Sequence, residues 1–203
     1  MVQTKTKSIA TKGEISSERI LETAFQLFIS QGFHGTPMRQ IAREASMTPA
    51  SLYIHFENKE EIFHQVILRY HPYREIIPAL EAATGENVES LVRDAAKGVF
   101  NVIRSRPELL HLFFSEAMEF EGRHLPEIIQ LVYPQVQAFL TRLTKTKGHL
   151  RPLPPTSILF SLMGLVMSQW MMEAIFFKNA PIPVSPRQFE HAIDIYLHGI
   201  IAD

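Results

Sequence analysis

Residues 36–62 read TPMRQIAREASMTPASLYIHFENKEEI, and three helix starts are written into them. Thr36 followed by Pro37 reads as an N-cap with proline at the first helical position, and the same pair recurs as Thr48-Pro49. Asn58, with Glu61 three residues on, is close to a capping box. Between the first two starts Met38, Ile41, Ala42 and Ala45 share one face of a short helix, and Arg39, Gln40, Arg43 and Glu44 share the other. Leu52 and Phe56 supply the inward side chains of the next helix. Two short helices joined by the turn Ser46–Thr48 make a helix-turn-helix.

Working outward, Ile20, Leu21, Ala24, Phe25 and Phe28 form a stripe at helical spacing, with Ser16 or Ser17 placed to cap that first helix and Gly32 to end it. Asn58 opens a long fourth helix running toward Ala83, and Thr84–Asn87 is the hinge after it. Further helices are predicted at Val88–Ser105, Pro107–Phe120, Pro126–Lys147, Thr156–Lys178 and Pro186–Ala202, with Pro and Gly at the joints. No run of strict apolar alternation is bounded by turn residues, so the predicted class is all-α, with about nine helices. The expected organisation is a flexible basic arm over 1–15, a three-helix DNA-binding head over 16–60, and a larger helical effector-binding and dimerisation domain over 61–203.

Composition narrows the function. The chain has no cysteine, which removes disulfides, thiolate metal sites and cysteine nucleophiles. Lys5, Lys7 and Lys12 precede no apolar h-region, so the start does not read as a signal peptide, and the expected location is the cytoplasm. The net charge of −1 divides unevenly: residues 1–59 carry seven basic and five acidic side chains, leaving a positive head on an acidic remainder. An enzyme is disfavoured. There is no His-Glu-x-x-His pair, no Gly-rich phosphate loop and no placeable Ser-His-Asp order. His111 and Glu116 are off one helix face, so no metal, cofactor or catalytic residue is expected.

The stretch 36–62 resembles the N-terminal signature of the TetR family of transcriptional regulators, whose helix-turn-helix ends in Tyr-x-His-Phe and continues into Asn-Lys-Glu. The Ala-Phe-x-Leu-Phe core of the first helix and the following Gln-Gly-Phe are similar as well. The resemblance covers about a quarter of the chain. It implies that Thr36, Arg39, Tyr53, His55 and Lys59 grip the DNA backbone and that Thr48, Pro49, Ala50 and Ser51 read bases. The residue chemistry agrees, since small polar groups at the start of a recognition helix suit base edges while a phenol, an imidazole and a cation suit phosphates. Read alone, Tyr53 can equally pack on the first helix, and His55 can be a capped core histidine. Two residues depart from the pattern: Ser46 stands where a turn glycine is usual, and Ala50 where glycine is common. Serine at a left-handed position costs about 1 kcal/mol relative to glycine.

One recognition helix reads only a few base pairs, so a two-fold homodimer on a palindromic operator is expected. Ser157, Ser161, Gly164 and Ser168 recur on one helix face and allow close approach of a second helix; Phe189, Ile193, Tyr196 and Leu197 are the expected companions in a four-helix interface. The uncharged stretch Pro152–Met172 is read as doubly buried rather than membrane-spanning, because it holds prolines, serines and Gln169, and Glu173 follows at once. Phe114, Met118, Gln130, Tyr133, Gln137, Met163, Met167 and Trp170 are the candidates for a small apolar or aromatic effector, adaptable side chains with a few polar groups among them. The reading is a repressor released by that ligand; an activator or a ligand-independent regulator with the same head is the alternative.

Overall fold

The computed structural model describes residues 12–148, 150–177, 181 and 185–201. Residues 1–11 of the expected basic arm, with Lys5 and Lys7, lie outside the described residues, as do Lys178 and Ala202 at the ends of two expected helices, whereas residues 12–15 begin the first helix. Ten α-helices are described: α1 Lys12–Gln31, α2 Met38–Glu44, α3 Pro49–His55, α4 Lys59–Tyr70, α5 Tyr73–Ala82, α6 Val88–Arg104, α7 Leu109–Glu119, α8 Leu125–Lys145, α9 Pro155–Met171 and α10 Gln188–Ile200. A π-helical turn, Met172–Phe176, extends α9. Among the described residues the only β pairing is two isolated bridges.

The all-α class holds, and three local expectations change. The first helix begins at Lys12, so Ser16 and Ser17 sit inside it rather than at its cap, and Ser17 faces His55 instead. The N-cap of α2 is Pro37 rather than Thr36, and it makes no side-chain cap bond. The long fourth helix is two helices: Pro72 cannot continue the hydrogen-bond ladder and disfavours helical ψ at the residue before it, and His71 accordingly has ψ 133°. Other local signals act as read. The Thr48 hydroxyl accepts from the Ser51 amide at 3.1 Å, and Asn58 Oδ1 accepts from the Glu61 amide at 2.8 Å. Ser46 takes φ 57°, the left-handed turn conformation expected of it. Asn87 and Ser90 form a full capping box at the start of α6, a cap inside what the sequence presents as a hinge.

Two compact units emerge. The first joins residues up to His71 with His111–His124; the second joins Pro72–Leu110 with the chain from Leu125 onward. The core of the first is aromatic: Phe63 meets Phe28 and Phe33 edge-on at 5.4 Å, Phe28 lies tilted against Phe33 at 5.7 Å, and Phe120 stacks on Phe63 at 4.7 Å. Phe25 stacks on Tyr70 at 3.8 Å, tying α1 to α4. A buried polar pair completes this core: Glu116 accepts from the His124 amide and lies 2.8 Å from His124 Nδ1. In the second unit the apolar stripe of α6 (Leu91, Val92, Ala95, Phe100, Ile103) is buried, and α6 packs on α5, α8, α9 and α10. Phe100 stacks on Phe189 of α10 at 3.8 Å, and Arg93 bridges to Asp194 at 2.6 Å.

Candidate nucleic-acid interface

Seven residues form α3, and their burial sorts them into faces. Leu52 and Phe56 are in the core, Ser51 and His55 are half-buried, and Pro49, Ala50, Tyr53 and Ile54 are exposed. The Thr48 cap and Pro49 at the first position hold the start of this helix, where Thr48 Oγ1 and Ser51 Oγ lie 2.9 Å apart. Whichever hydroxyl donates to the other, the second keeps its proton for an acceptor on a base or phosphate. Tyr53 is 54% exposed, so it does not pack into the core, and its phenol is accessible to a phosphate oxygen.

His55 takes a position between its two readings. Its Nδ1 lies 3.1 Å from the Ser17 hydroxyl, which fastens the end of α3 to α1. With Ser17 donating, Nε2 carries the ring proton, the form that can donate to a phosphate. Lys59 is similar. Its ammonium donates to the Phe33 carbonyl at 2.6 Å and sits 4.2 Å over the Phe33 ring, and desolvation lowers its pKa against the opposing pull of Glu119. It braces the turn between α1 and α2, with two further N–H donors for an anion. Arg39 is exposed on α2.

Thr36 must be withdrawn from the expected phosphate contacts. It is 0% exposed, and its hydroxyl donates to the Gly32 carbonyl at 2.8 Å, closing the end of α1. A threonine two residues before a short helix looks like a cap in sequence, but here the nearer unsatisfied group is the last carbonyl of the preceding helix. Sequence reading also passed over Ile54, which is 82% exposed on α3. Its signal was visible: an isoleucine placed between Tyr53 and His55 cannot share the inward face of Leu52 and Phe56.

The residues expected around a ligand fall in both units. Phe114 and Met118 belong to the first unit, and Gln130, Tyr133, Gln137, Met163, Met167 and Trp170 to the second. Met118, Tyr133 and Met163 are exposed, and Gln137 donates to the Tyr133 hydroxyl at 2.6 Å. Trp170 is buried, and its indole N–H has no hydrogen-bond partner among the described residues. Glu116 is committed to His124. Of the expected dimer residues, Ser157, Ser161, Gly164 and Ser168 are exposed on α9. Phe189, Ile193 and Leu197 are instead buried within the protomer, and the Tyr196 hydroxyl donates to the Ile158 carbonyl at 2.6 Å. The face of α10 that remains open carries His191, Ile195, His198 and Gly199.

Comparisons with known proteins follow the same division. Residues 20–66 match the family model for bacterial regulatory proteins, tetR family. The chain is 30% identical to the HTH-type transcriptional regulator YdgC of Bacillus subtilis over 51% of its own length and 55% of that relative's. It is 24% identical, over 87% of its length and 94% of the relative's, to IcaR of Staphylococcus aureus, the negative regulator of a biofilm operon. In structure it is similar to a TetR-family regulator from Mesorhizobium loti, with a TM-score of 0.70 and 23% identity over 95% of this chain and 100% of that one. Such relatives are transcriptional regulators rather than enzymes. In its capped three-helix head this chain is similar to the bacterial regulatory proteins of the tetR family, and its all-helical fold is similar to that of solved TetR-family structures.

Proposed function

We propose that the protein is a cytoplasmic repressor that binds a palindromic operator as a homodimer and leaves it when a small apolar or aromatic ligand occupies the second unit. The observation that carries the reading is α3, whose outward side holds only small, aromatic or aliphatic groups and no carboxylate. In this reading Thr48, Pro49, Ala50 and Ser51 meet base edges, while Arg39, Tyr53, His55 and Lys59 meet phosphates. In this reading the first unit, up to His71 together with His111–His124, is the DNA-binding domain, and the second unit is the effector-binding and dimerisation domain. The naming of IcaR as a negative regulator supports repression over activation.

The dimer reading rests on α9. Pro155–Phe176 is long and apolar enough to cross a membrane by length and composition, with a mean hydropathy of 1.5, and little of it is buried in the protomer. Phe160, Met163, Met172, Ile175 and Phe176 are exposed along it together with the small-residue stripe. Glu173, inside the same segment, pairs with Arg104 at 2.7 Å. A second copy of this chain covers that surface without placing an ion pair in lipid. Gly164 has nothing within 4 Å of an added Cβ, so a partner helix can approach closely there.

For the ligand, the buried Trp170 indole is the polar group that an acceptor on an otherwise apolar molecule would satisfy. The chain passes between the units at His71–Pro72, Leu110–His111 and His124–Leu125, and these crossings are the covalent route by which ligand and DNA would disfavour each other. The test is selection from a randomised duplex pool, followed by titration with aromatic compounds found by thermal shift. Enrichment of two inverted half-sites about one helical turn apart or a multiple of it supports the reading. No enrichment, or operator affinity unchanged by saturating ligand, refutes DNA reading or the switch respectively.

A further inference from the structure

An isoleucine that is 82% exposed is the most exposed large apolar side chain described in this protein, and it sits on the recognition helix. At roughly 100° per residue, Ile54 and Ala50 lie about 40° apart on the helix circumference. Leu52, the buried residue of this helix, lies about 180° from the midpoint of that pair, so the direction between Ala50 and Ile54 points away from the head's core. Tyr53 and Pro49 fall on one flank of that line, and Ser51 and His55 on the other. A helix entering the major groove in this orientation turns its outermost residues to the base edges.

The outermost pair has no hydrogen-bonding side chain. Neither Ala50 nor Ile54 can donate to guanine or accept from cytosine or adenine. The one feature of the major groove that an aliphatic surface recognises is the C5-methyl group of thymine. We infer that Ile54, seated beside Ala50, is a specificity-determining residue that reads a thymine methyl in each operator half-site. This rests on the DNA-reading function proposed above and adds to it the chemistry of one base position. Exposure of Ile54 in the unbound protein is then the cost of a contact completed only on DNA.

The test uses the full-length protein and an operator selected with it from a randomised duplex pool. Each thymine of the half-site is replaced in turn by deoxyuridine, which keeps base pairing and removes only the methyl. For the wild-type protein one position per half-site loses about fourfold in affinity, the transfer value of one buried methyl group. Replacing the equivalent thymine in both half-sites loses about fifteenfold, the product of two such contacts. A 5-methylcytosine–guanine pair at that position partly restores binding relative to cytosine–guanine. Ile54→Ala, which removes no packed atom of the head, binds the thymine and deoxyuridine operators equally; a circular dichroism spectrum matching wild type shows that the head is intact. Indifference of the wild type to every deoxyuridine overturns the inference, and so does an Ile54→Ala variant that keeps the wild-type sensitivity. A pool from which nothing is enriched is a different failure, since it refutes DNA reading itself and this inference with it.

Discussion

Phe120 lies sixty residues beyond the helix-turn-helix, yet its ring is part of the head's core. It stacks on Phe63 at 4.7 Å, meets Phe33 edge-on at 4.8 Å and meets His124 at 4.8 Å, with 5% of its surface exposed. Truncating a buried phenylalanine to alanine costs about 3–5 kcal/mol, and three aromatic neighbours at contact distance place Phe120→Ala near the middle of that range. With a urea slope of about 2 kcal/mol/M, a loss of about 4 kcal/mol moves the midpoint down by about 2 M. Against a total stability of about 5–15 kcal/mol, about 1–11 kcal/mol remains, so the head stays mostly folded in native buffer and operator affinity stays close to that of wild type. The assay is urea denaturation followed by far-ultraviolet circular dichroism, with operator binding measured alongside. The single tryptophan, Trp170, belongs to the second unit, so its emission in native buffer stays as in wild type. Met118→Ala is the matched control: it is on the same helix, is 77% exposed, and should cost less than about 0.5 kcal/mol. A Phe120→Ala midpoint within a few tenths molar of wild type refutes the assignment of this segment to the head's core.

Ser46→Gly relieves a left-handed serine at φ 57° and should raise stability by about 1 kcal/mol, read as a higher melting temperature. Thr48→Ala removes the hydroxyl that caps α3, so stability drops by about 1 kcal/mol and operator preference weakens as well. Desolvation lowers His71 to about 4, below its ordinary 6.5. The folded protein therefore favours the neutral ring: the stabilisation is complete above about pH 6.5 and is lost as pH falls toward 4, by up to about 3 kcal/mol. In His71→Gln the urea midpoint should be flatter between pH 7 and pH 4. Tyr53→Phe and Arg39→Ala should weaken operator and random DNA alike and lower the slope of affinity against salt, which a binding titration between 50 and 200 mM salt would measure. A change confined to operator DNA would assign these two residues to base reading instead.

Local signals act over a few residues, and those were readable directly. Thr48-Pro49, Asn58 with Glu61, Gly32 and the apolar spacing of α1 and α6 each settle a backbone choice within one helical turn, so helix class and the helix-turn-helix follow from the amino acids alone. Pro72 was equally local, and breaks the fourth helix by the same kind of rule. What tertiary structure decided is which apolar face meets which. Periodicity marks α10 as amphipathic, but it cannot say that Phe189, Ile193 and Leu197 face α6 and α9 while Ile195 is left outside, because both faces carry isoleucine or larger groups. Nor can spacing reveal that Phe120 and His124 complete the core begun by Phe28 and Phe63, since the pairing joins segments far apart in the chain. Polar side chains depend on such neighbours most of all. Thr36 turns back to the Gly32 carbonyl, Lys59 to that of Phe33 and Glu116 to His124, because an unsatisfied buried group costs more than a contact with DNA or ligand not yet present.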